Sequence, residues 1–157
     1  MPTPEFVLEL RRHIGTAPLW MSGVTAIVTD ADQDRVLLVR RADNGAWTPV
    51  TGIIDPGEEP ASAAAREARE EAGVETRMVR LVDVRTLPEI TYDNGDRAIY
   101  LDLCFLAEHI AGDPHPADGE NTEARWFRLD DLPPLNARFR EQIATALSGE
   151  LEARFRQ

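Results

Sequence analysis

Lysine is absent from this chain: all 17 basic residues are arginine, set against 28 acidic residues for a formal net charge of −11 over 157 residues. A protein that grips nucleic acid through its phosphates needs a basic patch, so the charge balance argues for no nucleic-acid partner. Cysteine is nearly absent too. The one copy, Cys104, excludes an intrachain disulfide and sits in a strand-like apolar alternation far from any second thiol. No apolar run approaches the roughly 20 residues that cross a bilayer, and the first residues lack the basic-then-apolar order of a secretory signal. The expectation is a cytoplasmic protein with no membrane partner, folded as a single domain over 1–157. An acidic protein that handles anionic phosphates needs a local cation supply, either metal ions or a few placed arginines.

Thr3-Pro4 reads as an N-cap followed by proline at the first helical position, with Phe6, Val7, Leu10 and Ile14 at helical spacing, so a helix is expected over about 4–14. Val24, Ala26 and Val28 lead through a polar turn at 30–34 into the apolar run Val36 to Val39, a strand, turn, strand unit. Extended structure resumes from Trp47 to Ile54. From Pro60 to Ala72 the composition switches to Ala, Arg and Glu, with proline at the start and Gly73 just past the end, which predicts a helix. Strands are expected over 79–87 and 98–107, joined through the tight turn of Asn94-Gly95, with an exposed loop over 110–119 and a short strand at Arg125-Trp126-Phe127. A helix from Asn136 to Leu147 follows, and helices and strands together predict one layered α/β domain.

Glu67, Glu70 and Glu71 stand at i, i+3 and i+4, which puts three like charges on one helical face. Their mutual repulsion makes physical sense if a cation sits among them, and magnesium prefers carboxylate and water oxygens and completes its shell with substrate phosphates. Arg66 is placed at i, i+4 to hold Glu70, and the turn Asp55-Pro56-Gly57-Glu58 lets Glu58 fold back toward the helix. Against this stands the plain alternative of a solvated charged face. The order of the whole stretch decides between them. It resembles the Nudix box, G-x5-E-x7-R-E-U-x-E-E-x-G-U, over residues 52–74, with Gly52, Glu58, Arg66, Glu67, Glu70, Glu71, Gly73 and Val74 at the matching positions. The first U is Ala68, smaller than the usual aliphatic, which bears on how the helix packs.

The resemblance implies an α/β/α sandwich around a central mixed β-sheet. It implies a Mg²⁺-dependent hydrolase, with Mn²⁺ as a substitute metal, that cuts the pyrophosphate linkage of ADP-ribose or another nucleoside diphosphate derivative. Two alternatives accompany it: a (d)NTP pyrophosphohydrolase that cleanses the nucleotide pool, and a nucleotide-binding module without catalysis. By resemblance the metal ligands are Glu67, Glu70, Glu71 and the backbone carbonyl of Gly52, with Arg66 and Glu58 in support. The general base is Glu67 or Glu120, with Glu123 in reserve; Glu120 is also expected to join the metal, against a plain reading as a loop acid. For the substrate, Arg40, Arg41, Trp47, Arg85, Tyr92 and Tyr100 are of types that pair with phosphate or stack on a base. Arg40 and Arg41 read equally as surface charges, and Trp47 and Trp126 as core or rim aromatics. His13, His109 and His115 share no ligand spacing and are read as incidental. A homodimer is an expectation by analogy alone.

Overall fold

The computed structural model describes residues 3–157, so positions 1 and 2 of the expected domain lie outside the described residues. The chain runs α1 (Glu5–Ile14), β1 (Leu19–Thr29), β2 (Arg35–Arg41), β3 (Trp47–Thr48), β4 (Val50–Ile53), α2 (Pro60–Ala72), β5 (Glu75–Thr86), β6 (Ile90–Thr91), β7 (Arg97–Ala111), β8 (Asn121–Arg128), α3 (Ala137–Ala146) and β9 (Arg154–Phe155). No helix among the described residues is long and apolar enough to cross a membrane.

The strands form one mixed sheet in the order β3-β2-β1-β7-β5-β9, with β4 paired to β1, β6 to β7 and β8 to β2. Its spine is the parallel pair β1 and β7, in unbroken register from Leu19 opposite Ala98 to Thr29 opposite Glu108. Side chains alternate across a strand, so β1 and β2 supply two cores at once. Val24, Ala26, Val28, Leu37 and Val39 meet α2 on one face. Ile27, Val36 and Leu38 meet Ile143 and Ala146 of α3 on the other. The result is the expected α/β/α sandwich.

The helix α2 lies close to the sheet because its inner face is built from alanine: Ala63, Ala64, Ala68 and Ala72 are fully buried. Ala68, the small residue at the first U position, thus packs directly in this core beside Val50 and Val74. The helix stops at Gly73, which adopts the left-handed conformation at φ 67°. His115 packs over that glycine, its Nδ1 bonded to the carbonyl of Asp113, and a Cβ at position 73 would overlap the imidazole ring. The loop after β7 is thereby closed onto the end of α2, with His115 N–H donating to the carbonyl of Ala72 at 3.1 Å. His115 has a structural role that its spacing in the sequence concealed.

Several boundaries moved. Pro4 itself is the N-cap of α1, one position later than the expected Thr3, and its carbonyl accepts from the amides of Val7 and Leu8. β7 continues through Ile110 and Ala111 because Ala111 still pairs with Glu75, so the loop begins at Gly112. β8 is longer than its Arg-Trp-Phe centre, since its whole length pairs with β2. The Asn94-Gly95 turn closes β6 on β7, while β5 is the long antiparallel partner of β7. β9 was not foreseen. It is two residues long, parallel to Asp83 and Val84, and is held by arginines rather than by an apolar pattern, Arg156 reaching Asp83 at 3.5 Å.

Under α3 the sheet buries a carboxylate, Asp102, which accepts from Thr25 Oγ1 at 2.8 Å, Gln142 Nε2 at 2.7 Å and Arg138 Nη1 at 3.1 Å. A buried charge is tolerated only when paired and hydrogen-bonded in this way. The network fixes α3 to β1 and β7. Asn136 caps the same helix through its side-chain oxygen and the amide of Arg138.

Candidate active site

Gly52 lies in β4 opposite Val24 of β1, and the chain then turns through Asp55 to Glu59 into α2. The turn is closed by Glu58 N–H to the Asp55 carbonyl at 3.0 Å and by Asp55 N–H to Glu58 Oε2 at 3.2 Å. Glu58 is thereby aimed at Arg66, which holds it in a bidentate pair through Nε at 2.9 Å and Nη2 at 2.8 Å. The same guanidinium donates to Glu67 Oε1 at 2.9 Å, to Glu70 Oε2 at 3.2 Å and to the carbonyl of Ile53 at 3.0 Å. The helical spacing pointed to the Arg66–Glu70 contact alone. The fold turns Arg66 into a hub that fastens the turn, the strand end and two glutamates to one another. This guanidinium holds the Glu58 carboxyl below its usual range.

Glu67 and Glu71 face inward among the alanines of α2 and are almost wholly buried. Burial pushes the Glu67 carboxyl up to about 7, against the opposing pull of Arg66. Burial, then the charges of Glu67 and Asp118, push Glu71 up to about 8. Glu67 Oε2 is buried with no hydrogen-bond partner among the described residues. Asn121 Nδ2 reaches Glu71 Oε2 only at 3.5 Å. A pair of buried carboxylates that arginine compensates only in part is costly, and it is the environment that a hard divalent cation relieves. The donor set therefore fits such a metal. Among the described residues no three acidic or imidazole groups form a finished cage. Arg66 occupies one oxygen of Glu67 and one of Glu70, so water and substrate oxygens would complete the shell.

The raised values fix a pH dependence. Both groups keep protons in the folded chain that the unfolded chain releases near its ordinary glutamate range, so the metal-free protein loses stability as pH rises from about 4.5 through about 7 to 8, and levels off beyond. A cation must displace those protons, so its affinity rises across the same window. Thermal melts are expected to show a larger Tm increase from added Mg²⁺ at pH 8.5 than at pH 6. Equal increases at both would remove the buried pair from the cation site.

The structure brings further groups to these carboxylates. Asp118 acts on Glu71 and lines, with Arg66 and Glu70, a cavity of about 680 Å³ that also touches the first turn of α1. Arg41 is the arginine of the 40–41 pair that faces the box: a register irregularity separates it from Arg40, it stands opposite Asn121, and its guanidinium is raised by Asp43 and by the charge of Glu71. The carbonyl of Glu120 accepts from the amide of Ala42 at 2.8 Å, which draws the start of β8 to the same end of the sheet. Asp118 and Asn121 carried no sequence signal, because the loop that presents them is placed only by its packing on Gly73.

Other expected residues lie elsewhere. Arg40 and Glu123 pair with each other at 2.9 Å on the α3 side of the sheet. Trp47 packs edge-on against Phe127 at 4.8 Å with Arg125 over its ring, on the α3 face, and is a rim aromatic there. Arg85 is bound by Asp83 and, at 3.1 Å, by Glu141 of α3. These four are held apart from the box carboxylates because successive residues of a strand point to opposite faces. Trp126 is half-buried on the α2 side, edge-on to His109 at 5.3 Å. Tyr100 packs with Val7, Met21 and Ile53, and its hydroxyl meets that of Tyr92 at 2.8 Å.

Residues 19–147 match the NUDIX domain. The NAD-capped RNA hydrolase NudC of Pseudomonas aeruginosa is 38% identical over 106 residues, covering 66% of this chain and 35% of that protein, so the chain spans about a third of the length of this relative. Among solved structures, an ADP-ribose pyrophosphatase from Streptococcus suis superposes with a TM-score of 0.68 at 25% identity over 87% of this chain and 98% of that one. A MutT NUDIX hydrolase from Burkholderia pseudomallei gives 0.65 at 27% identity over 81% and 98%. With the eight box positions running from the end of β4 through the turn and α2 to just past its C-cap, and the NUDIX domain matched over residues 19–147, the chain belongs to the NUDIX hydrolase family.

Proposed function

We propose that this chain hydrolyses the diphosphate linkage of a nucleoside diphosphate derivative, ADP-ribose or a similar compound, with Mg²⁺ as the working metal and Mn²⁺ as a substitute. The observation that carries the reading is the buried pair Glu67 and Glu71, with its unpartnered oxygen, beside the Arg66 hub. Glu67, Glu70, Glu71 and the carbonyl of Gly52 are the residues that would hold the metal, with Glu120 as a further ligand. When bound, the metal supplies charge neutralisation of the diphosphate and lowers the pKa of a water.

The protein's own part is positioning. Arg66 fixes the carboxylates and Arg41 offers a cation where phosphate charge arrives. Water attacks one phosphorus, the bridging P–O bond breaks with the electron pair going to the departing phosphate, and a carboxylate takes the released proton. The resemblance favours Glu67 for that proton, with Glu120 as the alternative; Glu123 is turned toward Arg40.

The relative of known structure named as an ADP-ribose pyrophosphatase matches over nearly its whole length and supports a compound with two organic halves. The MutT neighbour supports the second reading, a (d)NTP pyrophosphohydrolase. The NudC relatives are named for capped RNA, whereas the net charge of −11 here favours a small molecule over a polymer. The deciding measurement is product identity by mass after incubation with Mg²⁺ and ADP-ribose, NAD, UDP-sugars, (d)NTPs and a capped RNA. The expected result is two phosphorylated organic halves, AMP and ribose 5-phosphate from ADP-ribose. A nucleoside monophosphate with pyrophosphate would transfer the assignment to the triphosphate reading. Tight binding without turnover of any compound would leave a binding module.

A further inference from the structure

The three tryptophans are used differently. Trp47 and Trp126 are engaged by ring and guanidinium partners. Trp20, in β1 opposite Ile99, is 61% exposed and has no ring or cation partner among the described residues. An exposed indole on an ordered strand presents a flat, rigid face on which a ligand ring can stack.

Trp20 lines a second cavity of about 440 Å³, whose walls include Leu10, Leu19, Met21 and Leu103, with Ser22, Asp55 and Glu58 as polar groups among them. That lining, apolar with few polar groups, and that volume suit a flat ring rather than a diphosphate. The cavity abuts the larger one beside Arg66 and Glu70: Phe6, Asp55 and Pro56 form walls of both. A compound whose charged centre lies at the box glutamates can therefore pass one organic half over the Asp55-Pro56 turn.

We propose that the cavity under Trp20 is a specificity subsite that takes the aromatic heterocycle of one half of the substrate, stacked on the Trp20 indole. The subsite rests on the function proposed above. It selects a ring over an open sugar by contact area and leaves the diphosphate chemistry to the box. Phe6 closes the pocket from α1, which gives that helix a part in substrate choice.

The test is equilibrium binding, by calorimetry with Mg²⁺ present, of AMP and of ribose 5-phosphate to wild type, Trp20→Phe and Trp20→Ala. Base-on-aromatic stacking predicts that Trp20→Ala weakens AMP about ten-fold, that Trp20→Phe keeps most of the affinity, and that ribose 5-phosphate is unaffected. Unchanged AMP affinity in Trp20→Ala overturns the subsite, as does an equal loss for both ligands, which marks a disturbed phosphate site. Trp20 is exposed, so both variants are expected to fold, checked by their melting curves. Hydrolysis that needs Glu71 alongside AMP binding that ignores Trp20 defeats the subsite and leaves the proposed function standing. The reverse result defeats the function and keeps the subsite.

Discussion

Replacing Glu71 with glutamine is expected to lower kcat by about 10³-fold while making the metal-free protein more stable at pH 8.5. The two effects have one cause. Glu71 is buried next to Glu67 and within the field of Asp118, and its carboxyl is pushed up to about 8. Above that pH the folded wild type holds a charge that burial and its neighbours oppose, and an amide of the same shape carries none. The stability gain should shrink as pH falls from about 8 and vanish below about 4.5, where Glu71 is protonated in the unfolded chain as well. Steady-state kinetics with the preferred substrate and melts at several pH values check both arms. A variant within a few-fold of wild-type kcat would remove Glu71 from the reaction. A variant less stable than wild type at pH 8.5 would mean that its carboxylate is compensated by a partner in the protein.

Gly52→Ala is the second large effect, and it acts through space rather than charge. A Cβ at position 52 overlaps Cδ, Cγ and Oε1 of Glu67, whose side chain has no room to retreat because it is fully buried under α2. The carboxylate must leave its position or the helix must lift from β4. Overpacking of this kind costs about 1–3 kcal/mol, and displacing a reacting group by about 1 Å costs about 10²-fold in rate. Gly149→Ala is the control. Gly149 has φ 80° and open space around its would-be Cβ, so alanine there adds backbone strain with no contact to the box. The expected pattern is loss of both stability and kcat at position 52 and loss of stability alone at 149. Normal kcat in Gly52→Ala would show that Glu67 need not stay against β4.

Much of the architecture was legible along the chain because it is written in local terms. Pro60 and Gly73 bound α2 to the residue, and the apolar pattern at Val24, Ala26 and Val28 and over Val36 to Val39 marked β1 and β2 as strands. The box was legible for a similar reason. Its glutamates depend on helical spacing and a tight turn, both set within a span of residues 52–74. Arg66 was read as a support for Glu70, and its stronger bidentate hold on Glu58 follows from the turn that precedes the helix.

The sequence by itself determined the layered α/β fold, the α2 helix, the carboxylate cluster and its anchoring arginine. Each rests on neighbours a few residues apart, where periodicity and turn chemistry act directly. Only the tertiary structure decided which residues from distant segments meet that cluster. A strand carries side chains to both faces, and the register and irregularities of its pairing, as between Arg40 and Arg41, decide which one points at the box. Arg85 and Trp47 have suitable chemistry and are held on the α3 side, whereas Arg41, Asp118 and Asn121 are brought to Glu71 by the pairing of β2 with β8 and by a loop packed on Gly73. Those contacts join parts of the chain separated by tens of residues, where packing rather than spacing sets the distance.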